Sequence, residues 1–438
     1  MCGDGGGSHG GSHTRQDAGA PNFPWDAGAF DAHCHPTDTM ASVALIPGMK
    51  ARGLAIMATR SQDQDLVSEV ASRLGATHKS DFSAPETTTT TPSSSSAKVI
   101  PSFGWHPWFS HQLLNDTDAA APTLPPDPTN TEAVEDFKAK HYASILAPPP
   151  TDPSFIAQLP TPTSLSAFLT ATRSRLAAHP GAALVGEIGL DKAFRLPGKW
   201  ADGGPPRDES LTPGGREGRK LSPHGVTMAH QVAVFRAHLA LAGELGLPVS
   251  VHGVQAHGVL YDTIAALWKG YERDVLSKRE RNRVAPHAED WSSSSSEEDE
   301  DEDQDQDQDR PARKEASKDK GAGDVKGKPF PPRICLHSFS GSTEVLRRYL
   351  KPQVPADVYF SLSMAVNLGT SSGAERFADV VGEIPGDRIL VESDLHAAGA
   401  EMDDALEDMY RRVCEVKGWE LRDGVERIGR NFEAFVFG

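Results

Sequence analysis

Eight short apolar runs along the sequence predict β-strands, and helix-like stretches follow most of them. Several runs are almost continuously apolar, as strands buried on both faces of a parallel sheet require. Strands that alternate with helices predict βαβ units and therefore an α/β fold. The predicted strands are Ala29–His35, Gly53–Thr59, Val99–Gly104, Ala183–Leu190, Pro248–His252, Arg333–Phe339, Val358–Met364 and Arg388–Asp394.

Six other stretches carry apolar residues at three- and four-residue spacing, which is typical of amphipathic helices. Gly246 and Pro248 follow the longest stretch, which favours a helix stop directly before a strand. Eight strands with intervening helices predict a (β/α)8 TIM barrel, whose catalytic residues lie at the C-terminal strand ends. The predicted helices are Asp65–Leu74, Leu165–Ala178, Val226–Leu245, Ser342–Leu350, Ala374–Glu383 and Asp403–Val416.

Long low-complexity insertions interrupt this pattern within a single predicted domain, 25–438. Residues 1–24 form a Gly-rich tail, and the insertions at 77–97, 118–162 and 274–330 are rich in Ser and Thr, in Pro, or in charge. Such segments bury too little apolar area to offset chain entropy, so we expect disordered or loosely ordered loops. The remaining residues, about 280, are close to the ~250 that are typical of one barrel.

The charge balance argues against a broad nucleic-acid-binding surface. The formal net charge is −17. The run Glu297–Asp309 contributes ten acidic and no basic residues, and subtracting it from −17 leaves −7. A binder that relies on a basic surface is disfavoured, whereas an enzyme that meets phosphates through metal ions is not. The acidic run itself predicts a solvated loop, with docking to a basic protein partner as the alternative.

Cysteine use and hydropathy predict the cellular compartment. The four cysteines lack the spacing of a disulfide framework and form no Cys-x-x-Cys pair, which fits a reducing compartment. Residues 1–22 lack the apolar core of a secretory signal. No stretch approaches the roughly 20 apolar residues that cross a bilayer, so no membrane partner is expected. The sequence thus predicts a soluble protein of the cytoplasm, the nucleus or both.

Five predicted strands end on side chains that could bind a metal. His33 and His35 are two apart on a strand, so both point to one face. With 17 histidines, one His-x-His pair is expected by chance roughly 0.7 times, so the pair alone decides nothing. The prediction of a metal site depends on the other strand ends, because all these ends converge on one barrel mouth. The candidate ligands are His33, His35, Glu187, His252, His337 and Asp394.

Each candidate ligand also has a structural interpretation. Glu187 lies in an apolar stretch, where a lone carboxylate is costly unless it is paired, hydrogen-bonded or bound to metal. A structural salt bridge would also explain it. His252 and His337 could be hydrogen-bonded core histidines, and Asp394 could cap a helix. The coincidence of all these residues at strand ends favours a metal-dependent hydrolase.

Several motifs follow one another along the chain. They are Phe-Asp-x-His-x-His from residue 30, Gly-Trp-His-Pro from 104, Gly-Glu-Ile-Gly-Leu-Asp from 186, Gln-x-x-x-Phe from 231 leading into the strand that ends at His252, and His-Ser-Phe-Ser-Gly from 337. In combination they resemble the TatD family of metal-dependent deoxyribonucleases, from Phe30 to about Phe435. The resemblance implies an amidohydrolase-type TIM barrel with two divalent ions.

The resemblance also implies a role for each ligand. Glu187 would bridge the two ions, and mixed imidazole and carboxylate ligands suit Mg²⁺, Mn²⁺ or Zn²⁺ without choosing among them. One ion would be held by His33, His35, Glu187 and Asp394, and the second by Glu187, His252 and His337.

Catalysis on a phosphodiester follows from such a pair of ions. Two metal ions would polarise the diester and generate a hydroxide from a shared water. Asp394 is the candidate general base, because it could sit beside that water. His106, at the end of the third strand, would contact a phosphate oxygen. Its alternative role is that of a partly buried histidine beside Pro107 and Trp108.

Two motifs depart from the family pattern at positions that handle substrate. Family members commonly have His-x-Arg-x-Ala after the fifth strand, and Val254 replaces the arginine that can hold a phosphate. Valine cannot supply charge-assisted hydrogen bonds. The usual Glu-Thr-Asp-x-Pro after the eighth strand ends here on His396. Gln255, His257 and His396 are the candidates to contact the substrate instead.

The departures and insertions are similar to a fungal branch of the family that is described as binding a subunit of the anaphase-promoting complex. The sequence therefore supports three hypotheses. The first is a two-metal hydrolase that cleaves DNA from an end. The second is a barrel with weak or absent activity that binds a protein partner through its insertions. The third is an amidohydrolase that acts on a small amide or ester.

Overall fold

A computed structural model describes residues 22–82, 97–125, 127–200, 218–275 and 327–438 of the chain. Within them, eight parallel strands form the centre of the fold, and each overlaps one predicted strand. They are β1 Phe30–Cys34, β2 Gly53–Met57, β3 Lys98–Ser102, β4 Val185–Asp191, β5 Val249–Val254, β6 Arg333–Leu336, β7 Asp357–Leu362 and β8 Ile389–Val391.

The eight strands close into a barrel. Strands β1 to β3 pair in order, as do β4 to β8. The two groups meet at β3 and β4, where the Phe103 N–H donates to the Leu184 carbonyl at 3.0 Å. They meet again at β8 and β1, where the Asp394 N–H donates to the His33 carbonyl at 3.1 Å. The predicted TIM barrel is confirmed, with the C-terminal strand ends at one mouth.

Helices surround the barrel, and all six predicted helices are present within a few residues of their expected ends. Helices α2, α3, α6 and α10 were not predicted. None of the described helices is long and apolar enough to cross a membrane. The helices are α1 Ser61–Leu74, α2 Thr131–Ile145, α3 Pro153–Gln158, α4 Leu165–Ala178, α5 Met228–Leu245, α6 His257–Trp268, α7 Thr343–Tyr349, α8 Ser371–Glu383, α9 Ala400–Lys417 and α10 Leu421–Phe437.

Helix α10 packs against the end of the barrel opposite the mouth. The Glu420 side chain accepts from two backbone N–H groups of the first turn, which caps the helix. The Phe432 ring stacks on Phe30 at the start of β1, with ring centroids 4.6 Å apart. Phe82 meets Phe30 edge to face at 5.2 Å. We call Phe30, Phe82 and Phe432 the aromatic base of the barrel.

The prediction of disorder over 118–162 was wrong, because this segment contains α2 and α3. Asn130 and Asp152 cap these helices, each accepting a backbone N–H of the first turn. Tyr142 of α2 and Phe155 of α3 are buried in a satellite apolar cluster. The prolines lie mainly outside the helices, so a proline-rich composition concealed two capped helices with an apolar face.

The tail 1–24 and the insertions 77–97 and 274–330 were predicted too long, because residues near their ends are buried. Phe23 of the predicted tail is 8% exposed, Phe82 is 1% exposed and Phe330 is fully buried. Single aromatic residues bury enough area to hold the flanking chain against the barrel. The rest of these predictions, including the acidic run, lies outside the described residues.

Candidate metal centre

One carboxylate, Glu187 of β4, lies inside a buried cluster of imidazoles at the barrel mouth. Only 3% of its side chain is exposed. Its Oε1 atom lies 3.0 Å from His106 Nε2, 2.9 Å from His252 Nδ1 and 2.9 Å from His337 Nε2. A lone buried carboxylate is costly, so these three rings explain how the fold accommodates it.

The second oxygen of Glu187 faces the end of β1. Its Oε2 atom lies 3.4 Å from both His33 Nε2 and His35 Nε2. His35 Nε2 also lies 3.6 Å from Asp394 Oδ1. The backbone of Asp394, just after β8, has a positive φ of 57°. Glu187 therefore stands between two sets of ligand atoms, one on each oxygen.

Three groups of side chains each offer ligand atoms that lie within 4.8 Å of one another. All six predicted ligands belong to them, and so does His106, which was predicted to contact substrate. Glu187 and His33 are shared between groups, which joins them into one site. The donor set fits two divalent cations. The groups are His33, His35 and Asp394; His33, Glu187 and His337; and His106, Glu187 and His252.

Hydrogen bonds on the outer side of the rings decide which nitrogen can bind a cation. His252 Nε2 lies 3.2 Å from Asp191 Oδ2. A carboxylate only accepts, so Nε2 carries a proton and Nδ1 is the nitrogen left to bind a cation. His337 Nδ1 lies 3.3 Å from Glu392 Oε1, so Nε2 is the nitrogen that faces Glu187. These two inner nitrogens face the cluster, and each would give up its proton to bind a cation.

His106 has the opposite proton arrangement. Its Nδ1 accepts the Trp108 N–H at 3.1 Å. The neutral ring therefore carries its proton on Nε2, where it donates to Glu187 Oε1. Burial lowers the pKa of His106 to about 4, even though the Glu187 charge opposes that shift, so the ring is neutral at pH 7. His106 is a hydrogen-bond donor at the edge of the cluster.

Three residues that support the cluster were not assigned a role from the sequence. Ser250 Oγ lies 2.8 Å from His33 Nδ1 and orients that ring. Asp191 and Glu392 orient His252 and His337, and Glu392 also accepts the hydroxyl groups of Ser338 and Ser361. Glu392 interrupts an apolar strand in the same way as Glu187, so the same signal could have found it.

The electrostatics of the cluster favour added positive charge. Burial alone would raise the pKa of Glu187, but the surrounding imidazoles hold it well below its usual range. Burial alone would lower the pKa of His35, but its bond to Asp394 and the Glu187 charge raise it to about 9. Against the same effect of burial, Glu187 holds the pKa of His337 well above its usual value. A divalent cation would balance the same negative charge that these protons balance.

Comparisons with known proteins agree with this geometry. Residues 30–436 match the family of TatD related DNases. The chain belongs to the TatD family. It is 34% identical over 407 residues to the Cut9-interacting protein scn1 of Schizosaccharomyces pombe, over 93% of this chain and 98% of the relative. It is 24% identical over 421 residues to an uncharacterized deoxyribonuclease of Saccharomyces cerevisiae, with the same two coverages.

Among solved structures, the TatD homologue YJJV of Escherichia coli K12 is similar to the chain. The two share 14% sequence identity with a TM-score of 0.44. The alignment covers 94% of this chain and 98% of the homologue.

The departures from the TatD motifs do not all lie in one place. After the half-buried Val254, Gln255 has a positive φ of 51° and an exposed side chain. His257 begins α6, with Nε2 3.4 Å from Ser340 Oγ. His396 lies elsewhere, where its Nδ1 is 2.7 Å from Asp38 Oδ2. Gln255 and His257 share one cleft, and His396 is not part of it.

Two clefts flank the loop that leaves β4. The first cleft, about 440 Å³, is lined by Lys192, Arg195, Gln255 and His257 among others. The second cleft, about 310 Å³, lies on the other side of the loop, where Phe194 contributes to its wall. No carboxylate lines either cleft among the described residues. In this TatD protein of net negative charge, the two clefts along the β4 loop are thus free of acidic side chains among the described residues.

Proposed function

We propose that this TatD protein is a metal-dependent deoxyribonuclease that hydrolyses phosphodiester bonds from an end of DNA. The observation that carries the proposal is the position of Glu187 between two sets of ligand atoms. A shared carboxylate between two ion positions suits in-line displacement at phosphorus. The two clefts along the loop that leaves β4 have no carboxylate in their described lining and would admit an anionic strand.

The side chains present would hold two divalent ions, Mg²⁺, Mn²⁺ or Zn²⁺. His33, His35, Glu187 and Asp394 would hold the first, and Glu187, His252 and His337 the second. The inner nitrogens of His252 and His337 fit this arrangement, because Asp191 and Glu392 accept hydrogen bonds from the outer nitrogens. When bound, the ions supply positive charge and Lewis-acid polarisation of the phosphoryl group.

Asp394 is the side chain best placed to accept a proton from the attacking water. Its side chain is 15% exposed, whereas those of Glu187 and Asp191 are 3% and 4% exposed. Burial alone would raise its pKa, but the bond to His35 and neighbouring imidazoles hold it well below its usual range. Asp394 is therefore an accessible, ionised acceptor at neutral pH.

His106 would donate its Nε2 proton to a phosphoryl oxygen. The ring is held by the Trp108 N–H on its other nitrogen, so its donor faces the cluster. Because its pKa is about 4, the ring orients the phosphate as a neutral donor.

The first cleft would supply the positive charge that Val254 lacks. Lys192 is exposed and directly follows Asp191, which orients His252. Arg195 donates to the Phe194 carbonyl at 2.9 Å, so its position is fixed by the backbone. Gln255 and His257 add polar groups to the same cleft. These four side chains would hold the phosphate that family members bind with an arginine.

The test uses metal-stripped protein and an end-labelled single-stranded oligonucleotide. Addition of Mg²⁺, Mn²⁺ or Zn²⁺ is expected to shorten the strand progressively. Glu187→Gln should abolish cleavage, whereas Glu426→Gln, on the exposed surface of α10, should not. Folded wild-type protein that cleaves nothing with any ion would overturn the proposal. Activity on a small ester or amide instead would favour the amidohydrolase hypothesis.

We also propose a protein partner, because a relative with 34% identity over almost its full length is named a Cut9-interacting protein. The acidic run Glu297–Asp309 is the candidate contact, since its charge suits a basic surface. Purified fission yeast Cut9 would be titrated with the full chain and with a variant that lacks this run. Equal Kd values would remove the run from the interface, and no binding by the full chain would refute the proposal.

We place these activities in the cytoplasm or the nucleus. Cys34, Cys335 and Cys414 are free and buried, which suits a reducing compartment. Imaging of the tagged full chain in cells tests this, and accumulation in a secretory compartment would contradict it.

A further inference from the structure

The second cleft contains a buried arginine whose hydrogen-bonding capacity is incompletely used. Arg60 follows β2 and is only 3% exposed. Its Nε and Nη1 atoms are buried and have no hydrogen-bond partner within the described part of the chain. Its guanidinium lies 4.8 Å from the centre of the Phe109 ring. Buried donors without partners are costly, so such a group calls for an acceptor from outside.

The acidic neighbours of Arg60 do not fill this need. Asp63 accepts the Thr59 N–H, the Thr59 hydroxyl and the Arg60 backbone N–H. Asp38 is paired with His396 through its Oδ2 atom, and its buried Oδ1 atom has no hydrogen-bond partner within the described part of the chain, Arg60 included. Both carboxylates are close enough to feel the Arg60 charge. They balance that charge electrostatically, and the guanidinium keeps free donors.

The rest of the second cleft suits a phosphate joined to an apolar ring. Arg219 brings a second cation, with its guanidinium 4.7 Å from the Trp200 ring centre. Phe194 and Leu196 supply apolar wall on the side of the β4 loop. Arginine donors match phosphate oxygens bidentately, and bases of a single strand stack on aromatic side chains.

The second cleft is also connected to the metal centre. The backbone N–H of His106 donates to the backbone carbonyl of Thr59, the residue directly before Arg60, at 2.8 Å. Phe194 stacks on Trp108 with ring centroids 5.1 Å apart, and the Trp108 indole donates to Asp191 at 2.6 Å. A ligand at Arg60 would therefore lie one layer of side chains away from the group that orients His252.

We propose that Arg60 and Arg219 form a subsite for a second, non-scissile phosphate of single-stranded nucleic acid, with a neighbouring base against Phe109 and Phe194. This rests on the proposed nuclease function. The subsite makes no contact with the scissile bond. It raises affinity for longer strands and leaves the chemical step unchanged.

The experiment compares wild type, Arg60→Gln and the control Arg430→Gln, which removes an exposed arginine on α10. Substrates are bis(p-nitrophenyl) phosphate and single strands of two to twelve nucleotides. Arg60→Gln is expected to raise KM about tenfold for the long strands only, with kcat unchanged. The slope of log affinity against log salt should fall in magnitude by about 0.7. The control should behave as wild type.

Separate outcomes distinguish the subsite from the nuclease function. Equal length dependence in wild type and Arg60→Gln, with both hydrolysing the small diester, would overturn the subsite alone. If wild type cleaves nothing, fluorescence anisotropy of a labelled strand still measures binding. An equal Kd for wild type and Arg60→Gln would then overturn the subsite. Should Arg60→Gln fail to fold, Arg219→Gln at the half-buried rim must show the same length-dependent loss, or the proposal fails.

Discussion

The two ends of the barrel bury opposite kinds of side chain. At the mouth, Glu187 and its imidazoles are almost fully removed from water. At the other end, the aromatic base of Phe30, Phe82 and Phe432 is equally buried and carries no charge. Burial of charge costs stability and makes chemistry possible, whereas burial of aromatic rings stabilises the fold. The same strands thus serve both purposes, one at each end.

The largest expected effect is on the free energy of unfolding, and it comes from a substitution in the aromatic base. Phe432→Ala removes a ring that is 1% exposed and stacked on Phe30, and should lower the free energy of unfolding by about 3–5 kcal/mol. Urea unfolding measures the loss, and kcat per folded molecule should not change. The half-buried Phe437→Ala is the matched control and should cost less. A fall in kcat with unchanged stability would reverse the roles assigned to the two ends.

The next effect tests whether the mouth is completed by metal. A cation at about 100 times its Kd should stabilise the protein by about 2.7 kcal/mol, which raises Tm by roughly 5–10 °C. Glu187→Gln should abolish this shift, because both ligand sets use that carboxylate. Calorimetry with and without Mn²⁺ or Zn²⁺ provides the measurement. An undiminished shift in the variant would show that the cations bind elsewhere.

Asp191→Asn sharpens the comparison within the mouth. Asp191 Oδ2 accepts from both the Trp108 indole and His252 Nε2. An asparagine NH2 group in its place donates and accepts from neither. The His252 proton should then move to Nδ1, towards Glu187, and kcat/KM should fall about 10–100-fold. Trp108→Phe removes only one of these bonds and should cost less. Equal kcat/KM in Asp191→Asn and wild type would contradict the assigned tautomer.

The smallest effect concerns pH, because two buried histidines, His111 and His141 of α2, should make their region more acid-sensitive than the aromatic base. Burial lowers the pKa of His111 to about 3 and that of His141 to about 4. Unfolded histidines titrate near 6.5, so the stability from neutral rings is present above that pH and is lost as pH falls towards 4. Each ring should cost about 1 kcal/mol at pH 5.5.

A single substitution isolates this acid sensitivity. His141 Nε2 lies 2.9 Å from the His111 carbonyl, and glutamine can keep that donation without titrating. Urea unfolding at pH 7.5 and 5.5 should show a smaller loss in His141→Gln than in wild type. Identical losses in the two proteins would remove His141 from the acid response.

The eight strands, and the six side chains that the structure brings together at the mouth, could be predicted because burial on both faces leaves a nearly pure apolar pattern. Against that pattern, His33, Glu187 and Asp394 stand out as polar residues at strand ends. Helix α10 was also readable, since Leu421, Val425, Ile428 and Phe432 repeat at helical spacing. It was missed although the signal is present.

Other features depend on contacts that no local pattern records. The proton on His106 is set by the Trp108 backbone, and the second cleft forms where Arg60 meets loops far along the chain. Composition misled at α2, where prolines outside the helix masked the capped segment within. Ring orientation, cleft shape and side-chain pairing arise from tertiary packing, so the sequence alone could not give them.

The seam where β8 meets β1 also bears on how the protein is made. Asp31 accepts the Ser393 N–H and hydroxyl across a separation of 362 residues, and the next residue, Asp394, faces His35. A chain still emerging from the ribosome has the first histidines long before their carboxylate partner. The group of His33, His35 and Asp394 can therefore be complete only when synthesis is nearly finished.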